Sequence, residues 1–339
     1  MMKTIFHVSF AALLLLTDIP LQAQTGPVPV IFDTDMGNDV DDVLALSMLY
    51  TYHKARRADL KAVTISKGHP YAVTFTDLMN RTYGLGHIPL GYVGNNGPTP
   101  EPGRYNMQTV KYTEEGRPFF TYDSTLAEKV PEAYKLQRKV LAASPDTSVV
   151  MVVVGFSTNI ARLLQSGADE FSPLGGRALV AKKVKALYMM AGMFGPQPFP
   201  EYNVVKDIAA ARTVFEQWPG RIIASGWEVG SRLHFRARSL SYYYPQLWEH
   251  PLVNAYFHYM KMPYNRETWD LTSVLHAIEP ERRYFRESAP GTIRIEADGK
   301  SVFTESAGGN HRIMLLEEAK IKPVLKRFEE TAGGIYGKY

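Results

Sequence analysis

Hydrophobic and polar positions along most of the chain alternate between strand-like and helix-like patterns. Continuous or alternating apolar runs predict strands at 28–32, 60–66, 88–93, 148–154, 184–190 and 221–225. The mostly Val run at 148–154 is typical of a strand that is buried on both faces. Apolar residues at helical spacing predict helices after several of these strands, at 71–84, 126–143 and 207–217. Because strands alternate with helices, we expect an α/β protein with a Rossmann-like open, mainly parallel sheet flanked by helices.

The remaining segments add a long connection and a small C-terminal extension. Residues 95–121, rich in Gly, Pro and charge, predict a long surface connection, and such a loop is often functional. Residues 293–303 predict a β-hairpin around an Asp298-Gly299 turn. Helices are predicted at 242–259 and 321–332. We therefore expect one domain over residues 24–339, with a small C-terminal β-hairpin and a closing helix.

The first 23 residues have the order of a secretory signal peptide. Lys3 precedes an apolar run at 5–16 that is too short to span a bilayer, and Leu21-Gln-Ala23 is a small-residue cleavage site. We expect cleavage near Ala23 and export to the periplasm or the medium, with an uncleaved anchor as the alternative. No later stretch is apolar enough to predict a membrane span.

The composition bears on disulfides, lipid anchoring and nucleic-acid binding. The chain contains no Cys, so disulfides and a lipid anchor on a cysteine are impossible. Its formal net charge of +4 comes without strong basic blocks, which does not indicate a nucleic-acid partner.

An unusually acidic segment follows the first predicted strand. Asp33, Asp35, Asp39, Asp41 and Asp42 lie within ten residues, and the last two begin a predicted helix, where the helix macrodipole favours negative charge. Capping accounts for one or two of these carboxylates, whereas crowded carboxylates persist when a cation is bound between them. With no Cys or His beside them, these oxygen ligands indicate a hard cation, Ca²⁺ or Mg²⁺.

Two alternatives concern this segment. An EF-hand is excluded by spacing, because counting from Asp33 places Asn38 where Gly is required and Leu44 where Glu is required. A solvated acidic loop remains the simpler alternative, although loops between strands and helices are usually short.

The segment Asp33-Thr-Asp35-Met-Gly37-Asn-Asp39-Val-Asp41-Asp42 resembles the signature of the nucleoside hydrolase family, the inosine–uridine type of N-ribohydrolases. The family pattern is Asp-x-Asp-Pro-Gly-x-Asp-Asp between an apolar strand and an apolar helix. Here Met36 replaces Pro, and two extra residues precede the final Asp pair. Asp39 and Asp41 therefore compete for one family position, and we favour Asp41 because it keeps the pair together at the helix start.

Three later segments also resemble family motifs, in family order: Gly155-Phe-Ser-Thr158-Asn159, Glu201-Tyr-Asn203 and Trp269-Asp270. The resemblance implies an enzyme that hydrolyses the N-glycosidic bond of ribonucleosides to free base and ribose. It implies Ca²⁺ as cofactor, with ligands from the side chains of Asp35, Asp42 and Asp270 and the carbonyl of Thr158. A helix cap is the alternative role for Thr158.

The same resemblance implies the other roles in the site. Asp35 would be the general base acting on a Ca²⁺-activated water, and the ribose hydroxyls would be held by Asp41, Glu201 and Asn203. Asp207 would cap the following helix. The partner would be a small-molecule nucleoside, and we expect a homodimer or homotetramer.

The identity of the base is predicted from one substitution. Many family members have a His before the final metal-binding Asp, whereas this chain has Trp269. Trp–Asp resembles the purine-preferring members, so we expect a purine to stack on Trp269. The alternative is a core residue at a helix start. Tyr71, Phe194 and Phe199 are candidates for a second aromatic contact.

Three segments depart from the family pattern. Lys67-Gly68-His69 stands where the family has Gly-Asn near the sugar, and no role is assigned to it. Gly195 falls near the family's Asn at the 5′ end of the sugar, for which Gln197 is a candidate substitute. Gly226-Trp227-Glu228 replaces an Asp-Val-Thr type of strand ending.

Two other functions fit parts of the sequence. A phosphatase of the haloacid dehalogenase type also has Asp-x-Asp after its first strand, but it has no need for the later motifs. A non-catalytic nucleoside- or sugar-binding protein on the same fold would explain the departures from the family pattern.

Overall fold

The computed structural model of the chain describes residues 26–243 and 249–333. The predicted signal peptide and its cleavage site, and part of the helix predicted at 242–259, therefore lie outside the described residues.

The strands occupy most of the positions that the apolar runs predict. They are β1 (Val28–Thr34), β2 (Ala58–Ile65), β3 (Leu90–Tyr92), β4 (Thr113–Glu114), β5 (Arg117–Pro118), β6 (Val149–Val153), β7 (Val184–Met190), β8 (Ile222–Ser225), β9 (His234–Arg236), β10 (Asn265–Glu267), β11 (Arg286–Glu287), β12 (Gly291–Ile295), β13 (Ser301–Glu305) and β14 (His311–Leu315).

The helices lie mainly between the strands of the large sheet. They are α1 (Asp41–Lys54), α2 (Pro70–Thr82), α3 (Asn106–Val110), α4 (Leu126–Lys129), α5 (Ala133–Ala143), α6 (Thr158–Gln165), α7 (Gly176–Lys183), α8 (Tyr202–Val205), α9 (Ile208–Gln217), α10 (Trp227–Gly230), α11 (Arg238–Tyr243), α12 (Pro251–Tyr259), α13 (Asp270–Ile278) and α14 (Ile321–Ala332).

The large sheet is mostly parallel, as predicted. In the described residues it has ten strands in the order β13-β12-β14-β8-β7-β6-β1-β2-β3, with β11 paired to β14. All neighbours from β14 to β3 are parallel. The predicted hairpin is formed by β12 and β13, which pair antiparallel and extend the sheet at one edge through β14.

The central strands are buried on both faces. Along β1, Val30 and Phe32 pack into one hydrophobic layer while Ile31 packs into the other. In β6, Val152 and Val153 divide between the same two layers. This explains why these strands appear as continuous apolar runs rather than as an alternation of apolar and polar residues.

Two predicted segments need correction. The helix predicted at 126–143 is two helices, α4 and α5, because Pro131 lies between them and cannot continue a helix. The connection at 95–121 is not confined to the surface, since Tyr105 and Asn106 are fully buried. The Tyr105 hydroxyl accepts from the Gly37 amide at 2.9 Å and donates to the Asp39 carbonyl at 2.8 Å, so this connection packs on the acidic loop.

The topology brings several chain segments to one edge of the sheet. The strand order reverses between β1 and β6, and in open α/β sheets ligands bind outside the carboxyl ends of strands at such a point. The acidic loop follows β1, Lys67 follows β2, and Trp227 follows β8. Parallel pairing therefore places these segments at the same edge of the sheet.

Candidate active site

A cavity of about 450 Å³ lies at this edge of the sheet. It contains seven of the eight residues that the sequence predicts to act in the site: Asp35, Asp41, Asp42, Glu201, Asn203, Trp269 and Asp270. The acidic loop and the start of α13 are far apart in sequence, since Asp41 and Trp269 are 228 positions apart. The fold therefore assembles motifs that are far apart in sequence.

Three carboxylates meet where two helices begin. Asp41 and Asp42 open α1, Asp270 opens α13, and each offers an oxygen within 4.8 Å of the others. One oxygen of Asp41 accepts from the backbone amides of Trp269 at 2.9 Å and Asp270 at 3.1 Å. Asp41 thus caps α13 from another helix, and this capping holds the two helix starts together.

The three carboxylates of this cluster are buried close together. Asp41, Asp42 and Asp270 are almost completely buried. Burial and the neighbouring carboxylates raise the pKa of each side chain well above its ordinary range. A cation among them would offset both effects, and a donor set made of oxygen atoms suits a hard cation.

Asp35 lies beside this cluster. One of its carboxylate oxygens accepts from the Asn38 side-chain amide at 2.6 Å. Burial raises the pKa of Asp35 to about 6, although the Asn38 hydrogen bond and the positive charge of Lys67 act in the opposite direction. Its carboxylate adds to the repulsion that raises the pKa of Asp42.

Asp39 and Asp41 have separate environments, which bears on their competition for one family position. Asp39 forms a two-pronged ion pair with Arg266, in which the Nε–Oδ1 distance is 2.9 Å. Asp39 is thus engaged by Arg266, while Asp41 joins the buried cluster with Asp42 and Asp270.

Asp33 points away from the cavity into a buried polar network. Its carboxylate accepts from Thr64 at 2.5 Å, Asn159 at 2.8 Å and Gln137 at 3.2 Å. Burial raises the pKa of Asp33 to about 7 despite these donors. The Thr158-Asn159 motif is therefore explained in part by packing, because Asn159 ties α6 to β1.

Thr158 is the predicted site residue that does not reach the cavity. It begins α6, where its carbonyl is in position for an intrahelical hydrogen bond, and its hydroxyl donates to Asp207 at 2.6 Å. Val154, at the carboxyl end of β6, lines the cavity instead. The motif thus marks the correct strand end, but the cavity-facing residue lies four positions earlier.

Glu201 and Asn203 are fixed by backbone contacts. The Glu201 carboxylate caps α8, accepting from the amides of Asn203 at 2.9 Å and Val204 at 3.3 Å. The Asn203 side-chain amide donates to the carbonyls of Val154 at 2.8 Å and Met190 at 3.1 Å. Both side chains are therefore held rigidly at the ends of β6 and β7 while they line the cavity. Asp207 caps α9 through the Ala210 amide, which confirms its predicted role.

The sequence profile described as inosine-uridine preferring nucleoside hydrolase matches residues 30–322. The chain belongs to this family. Its members are metal-dependent hydrolases that act on N-glycosyl compounds, so ribonucleoside hydrolysis is the general activity. The alternative of a haloacid dehalogenase phosphatase is therefore wrong. No curated protein sequence matches the chain.

Solved structures share the fold at low identity. The plant nucleoside hydrolase PpNRh1 is 18% identical over 91% of this chain and 99% of its own, with a TM-score of 0.67. A purine-preferring ribonucleoside hydrolase from Gardnerella vaginalis is 14% identical over 91% and 99%, with a TM-score of 0.67. The type III effector protein XopQ, solved with adenosine diphosphate ribose, is 15% identical over 91% and 95%, with a TM-score of 0.62.

Two tryptophan side chains, Trp227 and Trp269, line the cavity. The Trp269 indole N–H donates to the Trp227 carbonyl at 2.9 Å, and the two ring centroids are 6.4 Å apart. Trp227, which is 38% exposed, lines the cavity, and its ring contacts Phe199 at 5.2 Å. Phe199, one of the predicted second aromatic residues, therefore packs against a residue that lines the cavity but is not itself in the lining.

Other family departures have structural roles. His69 caps α2, because its ring nitrogen accepts from the Tyr71 amide at 3.3 Å. Gln197 is exposed and does not line the cavity, so the structure does not support it as the substitute for the missing Asn.

The sequence analysis did not predict Arg266, Asn38 and Trp227 as cavity residues. Their positions in the sequence could have indicated them, since each lies in or next to a family-like motif or directly after a strand.

No helix within residues 26–243 and 249–333 has the length and apolarity that a membrane crossing requires.

Proposed function

We propose that the protein hydrolyses purine ribonucleosides to free base and ribose, with bound Ca²⁺ and with Asp35 as general base. The carboxylate cluster of Asp41, Asp42 and Asp270, which shares one cavity with Glu201 and Asn203, carries this proposal. A cation site and rigid polar groups for a sugar are the two parts that such a reaction needs in one place.

The proposed cation ligands are the side chains of Asp35, Asp42 and Asp270. Val154 is a better source of the predicted carbonyl ligand than Thr158, because Val154 lines the cavity. Ca²⁺ accepts six to eight oxygen ligands in flexible geometry, which suits carboxylates from separate segments. When bound, it would supply positive charge that makes a neighbouring water easier to deprotonate.

The protein groups would then divide the chemistry. Asp35 takes a proton from the attacking water, since its carboxylate lines the cavity beside the other proposed cation ligands. Asp41, Glu201 and Asn203 hold the ribose hydroxyls. Bond breaking would run ahead of attack, through an oxocarbenium-like transition state as in other glycoside hydrolysis.

The proposed base site is aromatic and does not contain an obvious acid. The Trp269 indole N–H is engaged by a backbone carbonyl and is not an acid near neutral pH. Stacking on an indole favours a large flat base, and π faces attract a base that becomes protonated as it leaves. The Arg266 guanidinium lies 5.1 Å from the Trp269 ring centroid, so it borders the same site.

A substrate panel tests the proposal directly. Purified protein would be incubated with inosine, guanosine, adenosine, uridine, cytidine and ADP-ribose, with and without chelator, and released base and reducing sugar would be measured. ADP-ribose is included because XopQ was solved with it. Binding by calorimetry without release would identify a binding protein, whereas release of a purine supports the proposed activity.

Trp269→Ala is expected to lower kcat/KM for inosine more than for uridine. Base–aromatic stacking contributes roughly 1–3 kcal/mol in nucleic-acid binders, which corresponds to about 5- to 150-fold. The measurement is the inosine-to-uridine ratio of kcat/KM in wild type and variant, with Phe171→Ala as a control for loss of an aromatic ring outside the cavity. A wild-type preference for uridine, or an unchanged ratio in the variant, would contradict purine stacking.

We also propose export after cleavage near Ala23, on the pattern of residues 1–23. Intact mass spectrometry of the protein from its native host should give an N-terminus near Gln24. Detection of a peptide that contains Lys3 in the mature protein would show that the segment is retained.

A further inference from the structure

Lys67 is a buried cation that the activity described above does not use. It follows β2, is fully buried, and donates from Nζ to the Asn38 side-chain oxygen at 2.8 Å. It also donates to the Thr99 carbonyl at 3.0 Å and hydroxyl at 3.3 Å. Lysine is almost never fully buried unless it is paired, so this position indicates a specific requirement.

The contact with Lys67 fixes the orientation of Asn38. An ammonium group donates hydrogen bonds and cannot accept them, so the atom of Asn38 that faces Lys67 must be the amide oxygen. The amide nitrogen of Asn38 is then directed to Asp35, where it donates to one carboxylate oxygen at 2.6 Å. The two bonds together form a line from Lys67 through Asn38 to Asp35.

Lys67 is itself held by the connection after β3. The Gly68 amide donates to the Pro98 carbonyl at 2.8 Å, next to the Thr99 carbonyl that Lys67 contacts. A Cβ at residue 68 would lie 2.4 Å from the Gly97 carbonyl oxygen, so only glycine permits this approach. The segment Lys67-Gly68 therefore fits the 97–99 segment as a unit, and this fit places the Lys67 ammonium.

We propose that Asn38 is the positioning residue for Asp35 and that Lys67 acts through Asn38. Asn38 restrains one carboxylate oxygen of Asp35, which fixes the rotation of the carboxylate and the direction of its other oxygen. This inference rests on the proposed role of Asp35 as general base. It joins two departures from the family pattern, because Asn38 lies in the lengthened acidic loop and Lys67 replaces the Gly-Asn position.

A double-mutant cycle tests this dependence. The variants are Asn38→Ala, Lys67→Met and the double variant, with Lys61→Met as control because Lys61 is an exposed lysine on β2, the strand that Lys67 follows. Hydrogen bonds to charged groups contribute about 1.5–3 kcal/mol, so each single variant should lower kcat about 10- to 150-fold, with KM changed less than about threefold. If Lys67 acts through Asn38, the double variant should be no slower than the slower single variant. Lys61→Met should match wild type.

Calcium affinity, measured by calorimetry, distinguishes two roles for Asn38 and Lys67: orienting the Asp35 carboxylate, or forming the Ca²⁺ site. Because Asp35 is also one of several proposed ligands, we expect the Ca²⁺ dissociation constant to rise in these variants by a smaller factor than kcat falls. Thermal unfolding checks the fold, and Lys67→Gln, which retains an N–H donor, replaces Lys67→Met if that variant does not fold.

Two results would overturn the inference alone while wild type remains active. In the first, the double variant loses kcat by the product of the two single losses, which means that the residues act independently. In the second, Ca²⁺ affinity falls by the same factor as kcat. Wild-type protein that releases no base from any nucleoside would overturn the proposed function, and this inference with it.

Discussion

Asp35→Asn is expected to lower kcat at least about a hundredfold, the lower range for the loss of a general base. The carboxamide is nearly the same size as the carboxylate but does not accept a proton near neutral pH. Asp35 is almost completely buried in the cavity, so a base from bulk solvent does not readily replace it. The measurement is kcat for inosine at saturating substrate and Ca²⁺.

The stability of the same variant provides an internal control. In chelated protein, Asp35 is one of several buried carboxylates that repel one another, and removal of its charge relieves this repulsion. We therefore expect the unfolding temperature of chelated Asp35→Asn protein to equal or exceed that of wild type. Asp298→Asn, on the exposed hairpin turn, is the matched control for kcat. Activity within about threefold of wild type, far short of the range for a lost base, would show that another residue is the base.

The fold was largely predictable because its strands and helices have strong local patterns. Residues 184–190 form β7 as predicted, and the predicted closing helix at 321–332 is α14. The fold was predicted wrongly where tertiary contacts, which local composition does not indicate, determine the structure. Tyr105 lies in a polar, Gly- and Pro-rich segment, yet its hydroxyl joins Gly37 and Asp39, and nothing near Tyr105 in sequence indicates those partners.

The residues predicted for the site lie where a family-like motif coincides with a strand end or a helix start. Asp35, Glu201 and Asp270 satisfy this condition and line the cavity. Thr158 shows the limit of a motif, because Thr158 begins α6 and is not among the residues that line the cavity, whereas Val154 at the strand end is.

Contacts between distant segments could not be read from the sequence. Arg266 and Asp39 are 227 positions apart, and their ion pair depends on β10, which pairs with β9 and carries Arg266 to the acidic loop. Asn38 and Lys67 are 29 positions apart, on loops that follow adjacent parallel strands. Each residue alone is a polar loop residue, and only the sheet order makes them neighbours.

Removal of Ca²⁺ is the second change for which we expect a large effect, namely loss of nearly all activity and a lower unfolding temperature. Without a cation, Asp41, Asp42 and Asp270 remain buried with oxygens within 4.8 Å of one another, an arrangement that is unfavourable when ionised. A cation that binds only the folded state stabilises it by about 2.7 kcal/mol at a free concentration 100 times its dissociation constant. Chelated protein should therefore regain both thermal stability and activity when Ca²⁺ is added back.

Asp270→Asn connects this effect to the proposed ligands. Loss of one carboxylate should weaken Ca²⁺ binding, so more Ca²⁺ is needed for half-maximal activity and for half of the thermal shift. Asp298→Asn again serves as the control, and Mg²⁺ in place of Ca²⁺ tests the identity of the cation, because Mg²⁺ demands a more regular octahedral geometry. Protein that contains no Ca²⁺ by elemental analysis, or that keeps full activity after exhaustive chelation, would rule out a calcium-dependent mechanism. Equal Ca²⁺ requirements in Asp270→Asn and wild type would remove Asp270 from the ligand set, because a lost carboxylate ligand must appear as a loss of affinity.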